Sequence, residues 1–226
     1  MCARYSITTA SEALRRLFGF EEQPNVEPRY NVAPTQQVPA VRRGADGKRH
    51  YGSLRWGLIP FWAKDMKIGP RLINARAETV TEKPSFRTAL KQRRCLIAAD
   101  GFYEWSGAKG AKQPHRFTLA DGGPFGFAGL WERWRDPADG TEIESCTIIT
   151  CAANEVVAQI HPRMPVILPP EAFETWLDTG RPAAEATALL GPYPADRMIT
   201  YPVSKALNRP VNDEPSLIEP IELSLF

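Results

Sequence analysis

Arg94-Cys95-Leu96-Ile97-Ala98-Ala99, followed by Asp100-Gly101-Phe102-Tyr103-Glu104-Trp105, is the stretch that decides the architecture. Its first half is apolar after one arginine and stops at an Asp-Gly pair, the pattern of a buried strand. Its second half is aromatic with one carboxylate, and reads as a half-buried strand end. Working outward, similar short runs occupy 37–43, 52–58, 115–119, 125–130, 146–151 and 164–168, each bounded by turn residues. Helix signals are few. Thr9 with Glu12 reads as a capping box ahead of Leu14, Leu17 and Phe18, with Gly19 as the stop. Residues 84–93 carry Phe86 and Leu90 at helical spacing, and Asn154 is placed to cap a turn burying Val156, Val157 and Ile160. Residues 170–177 put Phe173, Trp176 and Leu177 on one stripe, and 183–190 stops at Gly191-Pro192. The 21 prolines and 16 glycines agree with many turns and short elements. The expectation is an α+β fold in one domain spanning 1–226, a curved, mostly antiparallel sheet or open barrel with short peripheral helices.

The chain has 226 residues, 28 Lys+Arg against 26 Asp+Glu, and a formal net charge of +2. Apolar residues at 43% and charged residues at 24% exclude a disordered, collagen-like or membrane-bundle protein. No apolar run approaches the ~20 residues of a spanning helix, and Met1-Cys2-Ala3-Arg4-Tyr5 is not a signal peptide. A cytoplasmic protein without a membrane partner is expected. A charge of +2 does not advertise nucleic-acid binding; arginines would have to gather on one face. Cys95, Cys146 and Cys151 read as buried free thiols. No CxxC or histidine pair supports a zinc site, so no metal or cofactor is expected.

Cys2 is chemically distinctive. Removal of Met1 would leave an α-amine and a thiol on neighbouring carbons, a 1,2-aminothiol that condenses with an aldehyde and closes a thiazolidine ring. Amine and thiol reference pKa values near 8 and 8.5 would leave usable free base and thiolate at neutrality. The alternative is that Cys2 is an early apolar residue. Glu104, flanked by Tyr103 and Trp105, has the surroundings that raise a carboxyl pKa for acid–base work, or else pairs with an arginine. His161, in His161-Pro162-Arg163-Met164-Pro165, is a candidate proton shuttle or a structural histidine. His50 and His115 read as surface residues. Asn74 and Arg76 face one way in an extended Asn74-Ala75-Arg76, suiting a phosphate or sugar oxygen, or else a buried polar knot. Trp56 is assigned to the core and Trp62 to the surface, where Trp62 with Phe61 could form a stacking platform. The pairs Arg15-Arg16, Arg42-Arg43 and Arg93-Arg94 read as solvated.

Six segments occur together in order: Cys2 with Arg4, Tyr30-Asn31-Val32-Ala33-Pro34-Thr35, Trp56-Gly57-Leu58-Ile59-Pro60, Asn74-Ala75-Arg76, Gly101-Phe102-Tyr103-Glu104-Trp105, and His161-Pro162-Arg163-Met164-Pro165. This combination resembles the SRAP (SOS response-associated peptidase) family, whose members shield abasic sites in DNA. Ala3 departs from the family's usual glycine. The resemblance implies an SRAP fold and covalent capture of the abasic aldehyde by Cys2 in single-stranded DNA. Asn74 would orient the terminus and sugar, Glu104 would exchange protons with the amine, and His161 would assist sugar-ring opening. Arg4, Asn31, Arg76 and Arg163 would grip phosphates, Trp62 and Pro34 would pack against bases, and Thr150 would support the pocket. It further implies self-removal of Met1, weak lyase activity, a monomer recruited to the nucleoid and replication machinery during DNA damage, and no cofactor. Two competing expectations remain open: an N-terminal-nucleophile cysteine peptidase or amidohydrolase, and a non-covalent single-strand binder.

Overall fold

Two faces of water-free surroundings are what a continuous apolar run demands, and residues 94–99 obtain them by lying in a closed barrel. The computed structural model describes residues 2–108 and 110–222. Its strands are β1 (Tyr5–Ile7), β2 (Arg29–Val32), β3 (Gln37–Arg43), β4 (Arg49–Trp56), β5 (Asn74–Arg76), β6 (Arg94–Ala99), β7 (Gly101–Ser106), β8 (Gln113–Leu119), β9 (Phe125–Arg135), β10 (Glu142–Ala152), β11 (Arg163–Pro165), β12 (Ile167–Leu168) and β13 (Met198–Pro202). Pairing runs β10–β4–β3–β6–β9 and returns to β10. That return closes a five-stranded barrel where the sequence suggested an open one, and gives each of the five a partner on both sides. Every step of the ring is antiparallel except β10–β4, which pairs Cys146 with Trp56 in parallel. All six residues of β6 are buried. β5 and β11 extend from β10, and β12 from β9.

The second sheet is open and wholly antiparallel, in the order β13-β8-β7-β1-β2. It packs on the barrel through aromatic rings. Tyr5 meets Trp56 edge-on at 5.4 Å and Phe127 at 5.6 Å, and Phe102 meets Phe127 edge-on at 6.4 Å. Such pairs add about 0.5–1.5 kcal/mol each beyond the area they bury. Each buried indole also finds an acceptor: Trp56 donates to the Ile73 carbonyl, Trp134 to Ala63 and Trp176 to Cys95.

Helices α1 (Ser11–Phe18), α2 (Arg87–Gln92), α3 (Glu155–Ala158), α4 (Phe173–Leu177) and α5 (Ala183–Thr187) are peripheral. Gly19 ends α1 with φ +71°, and Asn154 Oδ1 accepts from the Val157 N–H at 3.0 Å, both as the sequence indicated. The Thr9 capping box does not form. Both Thr9 donors are drawn instead to the Asp100 carboxylate, and Ala10 precedes the helix without a side-chain cap. Helix α2 starts at Arg87, three residues after Pro84.

Asp100 gathers the segment that leads from β1 toward α1. Oδ1 accepts from Ser6 Oγ at 2.7 Å and Arg116 Nη2 at 3.1 Å, and Oδ2 from both donors of Thr8 and of Thr9. The Arg116 guanidinium lies over Gly101, where an added Cβ would stand 2.6 Å from Nε. Residues 203–222 cross the open sheet, and Val203, Leu207 and Leu217 pack with Tyr103, Tyr30 and Trp105. Arg94 corrects the solvated-pair expectation. It is 1% exposed and spends its guanidinium on the carbonyls of Leu90, Trp176 and Asp178.

Candidate functional site

Pairing of β1 with β7 sets the centre of the site. Tyr5 is opposite Phe102, and the Tyr103 N–H bonds to the Arg4 carbonyl at 3.1 Å, which carries the pairing toward Cys2 and Glu104. Cys2 is 0% exposed. Burial pushes its thiol far up, and the nearby Glu104 carboxylate adds to the shift. The expected thiolate fraction is therefore corrected: the sulfur is held as S–H at neutral pH. Burial likewise pushes the Cys95 thiol to about 12 and the Cys151 thiol to about 11, so these two are inert structural groups.

Glu104 is 4% exposed, and burial raises its carboxyl above the usual range against the pull of His161. His161 Nδ1 stands 3.9 Å from Glu104 Oε1. The same nitrogen lies 3.1 Å from the Arg163 N–H and 3.0 Å from the Arg163 carbonyl. It can accept from the first as one tautomer or donate to the second as the other, which suits a group that moves protons.

Strand β10 carries Thr150 and pairs with the strands that hold Asn74, Arg76 and Arg163. Thr150 is 2% exposed, sits opposite Arg76 of β5 and Pro165 of β11, and reaches the Ala75 carbonyl at 3.4 Å. Arg163 Nη2 donates to the Thr150 carbonyl at 2.7 Å. Arg76 is exposed. Asn74 donates to the Ile73 carbonyl at 3.0 Å, and its Oδ1 is buried without a hydrogen-bond partner among the described residues. Glu78, which sequence reasoning passed over, grips Arg163 through both carboxylate oxygens. Its position, two residues beyond Arg76, was the available signal.

Arg4 and Asn31 have inward tasks. Arg4 Nη1 donates to Asn31 Oδ1 at 2.6 Å and to the Leu207 carbonyl at 2.9 Å. Asn31 is 0% exposed, and its amide nitrogen donates to the carbonyls of Leu207, Arg209 and Asn212. It thus holds Arg4 and the 203–222 segment rather than reaching a phosphate. His115 is another correction, being half-buried and 3.0 Å from Ser106 Oγ.

Pro34 precedes Thr35, the non-glycine residue with positive φ (+74°) among the described residues, whose N–H bonds to the Trp56 carbonyl at 2.7 Å. Gly57 then turns the chain at φ +124°, with an added Cβ 2.9 Å from the Gly69 carbonyl oxygen. The loop pinned at that crossing exposes Phe61 (56%) and Trp62 (47%). Trp62, Lys64, Lys67 and Arg71 line a concavity of about 400 Å³ beside them. Another concavity of about 610 Å³, lined by Leu119, Phe125, Ile167 and Tyr193, contains none of the predicted site residues. No described helix is long and apolar enough to cross a membrane.

Comparison with known proteins adds family context. The family profile described as SOS response associated peptidase (SRAP) matches residues 1–210. The chain is 44% identical over 224 residues to "Abasic site processing protein YoqW" of Bacillus subtilis (strain 168), covering 97% of this chain and 99% of that protein. It is 32% identical to "Abasic site processing protein HMCES" of Gallus gallus, covering 100% of this chain and 79% of that protein. A crystal structure of a Bacteroides thetaiotaomicron protein superposes with a TM-score of 0.88 at 28% identity, covering 98% of this chain and all of that one.

Proposed function

The chain belongs to the SOS response associated peptidase (SRAP) family, and from that premise we propose that it processes abasic sites in single-stranded DNA by covalent capture through Cys2. Removal of Met1 frees the α-amine. The amine adds to the C1′ aldehyde of the ring-opened sugar, and the resulting carbinolamine loses water to give an imine. Cys2 sulfur then adds to the imine carbon while its proton passes to nitrogen, closing a thiazolidine. Glu104 takes and returns the protons of the amine, and His161 assists opening of the sugar ring. Asn74 orients the sugar, and Arg76, Arg163, Pro34 and Trp62 receive the flanking strand.

The observation that carries this reading is the burial of Cys2 against Glu104, with His161 3.9 Å from that carboxylate. A sulfur held as S–H favours the order given, amine first and sulfur second. Ring closure also has a protective consequence. An imine acidifies the C2′ proton and promotes loss of the 3′ phosphate, whereas the thiazolidine has no C=N bond to accept those electrons. The sulfur therefore separates a shield from a lyase.

The test uses protein shown by mass spectrometry to start at Cys2. It is mixed with an abasic single-stranded oligonucleotide and run on a denaturing gel. The expected product is a retained adduct whose mass is one water short of the sum of its parts. Peptide or amide turnover without adduct would support an N-terminal-nucleophile hydrolase. Salt-sensitive binding without adduct would support a non-covalent binder. Either result overturns the proposal, as does an active protein that retains Met1.

A further inference from the structure

Glu78 lies in the 3-10 turn Ala77–Thr79 immediately after β5. Its Oε1 accepts from Arg163 Nη1, and its Oε2 accepts from Nη2 at 3.0 Å. The same Nη2 also donates to the Thr150 carbonyl at 2.7 Å. One guanidinium therefore ties the turn after β5 to strand β10. A two-pronged carboxylate–guanidinium fork fixes a planar group in direction as well as distance. The arginine side chain is 20% exposed and the glutamate 53%, so it is the two-pronged geometry, not burial, that sets the pair apart from an ordinary surface ion pair.

The backbone of the same arginine cradles His161. Its N–H and C=O lie 3.1 and 3.0 Å from Nδ1, the nitrogen that faces Glu104 at 3.9 Å. Holding Arg163 at both ends holds the turn that aims the imidazole.

We propose that Glu78 is a positioning residue for the covalent capture: by clamping Arg163 across Thr150 it fixes the turn at residues 161–163 and sets His161 against Glu104. The inference rests on the abasic-site reading above. Glu78 touches no reacting atom. A shift of about 1 Å in an acid–base group costs up to ~100-fold in rate, so losing one clamp on the turn is expected to be visible in the chemistry.

The test is single-turnover crosslinking of an abasic single strand, read as the rate at saturation and the half-saturating concentration. Glu78→Gln keeps an acceptor but loses the charge, and is expected to slow the saturated rate about ten-fold with half-saturation changing less than about two-fold. Arg163→Lys loses the fork from the other side. The double variant is expected to be no slower than the worse single one, because partners in one contact do not add. Glu78→Asp, which keeps the charge on a shorter arm, is expected to recover part of the rate. An unchanged saturated rate overturns the inference; if half-saturation also tightens, Glu78 is a competitor of phosphate. The imidazole nitrogen shifts of His161 in the free protein provide a readout that does not depend on the reaction. Glu78→Gln should move them, and unchanged shifts overturn the positioning role. Absence of any adduct from the unaltered protein would refute the abasic-site reading, while those shifts would still decide the role of Glu78.

Discussion

At position 2, desolvation decides which atom acts first. The thiol of Cys2 is raised by burial and by Glu104, so in the capture proposed above the amine would open the reaction and the sulfur complete it. Cys2→Ser is expected to abolish the heat-stable adduct on a denaturing gel while retaining slow strand cleavage through the amine; a fully stable adduct from that variant would contradict the ring chemistry. Glu104 supplies a second expectation with a definite sign. Burial raises its carboxyl, so the folded state holds that proton more tightly than the unfolded state. The stabilising contribution is therefore present below the unfolded pKa of about 4.3 and is lost as pH rises through the folded value. Glu104→Gln, which cannot ionise, should raise the melting temperature at neutral pH while slowing crosslinking. The stability difference should shrink as pH falls toward 4.3. The sequence made Cys2, Glu104 and His161 legible because their residue types are chemically unusual in their surroundings. It could not show that Asn31 spends its amide on three carbonyls 176 to 181 residues away, since those acceptors are backbone atoms that any sequence could supply.

Among elements, legibility followed length and apolar continuity. Strands β3 and β6 could be bounded from sequence, because alternation or continuity over six or seven residues leaves little choice of backbone. Strands β1, β2 and β13 could not, having three to five residues each and owing their form to neighbours. Strand β1 carries the start of the site yet has only three residues, so the clamp at its end matters. Asp100→Asn removes the charge facing the buried Arg116 guanidinium and is expected to cost about 3–5 kcal/mol, measured as a shift in the urea midpoint. Crosslinking should weaken with it, since the β1–β7 pairing sets Cys2 beside Glu104. In the loop before β5, Gly57→Ala forces a side chain into φ +124° against the Gly69 carbonyl. The expected loss is about 1–3 kcal/mol, read in the same denaturant titration.

Over the whole molecule, a net charge of +2 concealed where the charge lies. Lys64, Lys67 and Arg71 line the concavity at Trp62 with Asp65, and Arg76 is exposed on the strand that follows. Reversible binding of an intact single strand should therefore weaken with salt, losing about 0.7 in log–log slope for each phosphate contact removed. Replacing Lys64 and Lys67 by Gln should flatten that slope, and an adduct once formed should survive any salt concentration. Barrel closure was beyond sequence reading because it depends on β10 pairing with both β9 and β4, contacts made between segments about 10 and 90 residues apart. The 203–222 segment has a comparable reach. The carbonyls of Leu207, Arg209 and Asn212 receive Asn31, and Leu207 also receives Arg4, two residues beyond Cys2. A premature stop codon near residue 205 would accordingly present as a chemical defect at the opposite terminus, and a bulky tag fused close to that segment would be felt first by the nucleophile.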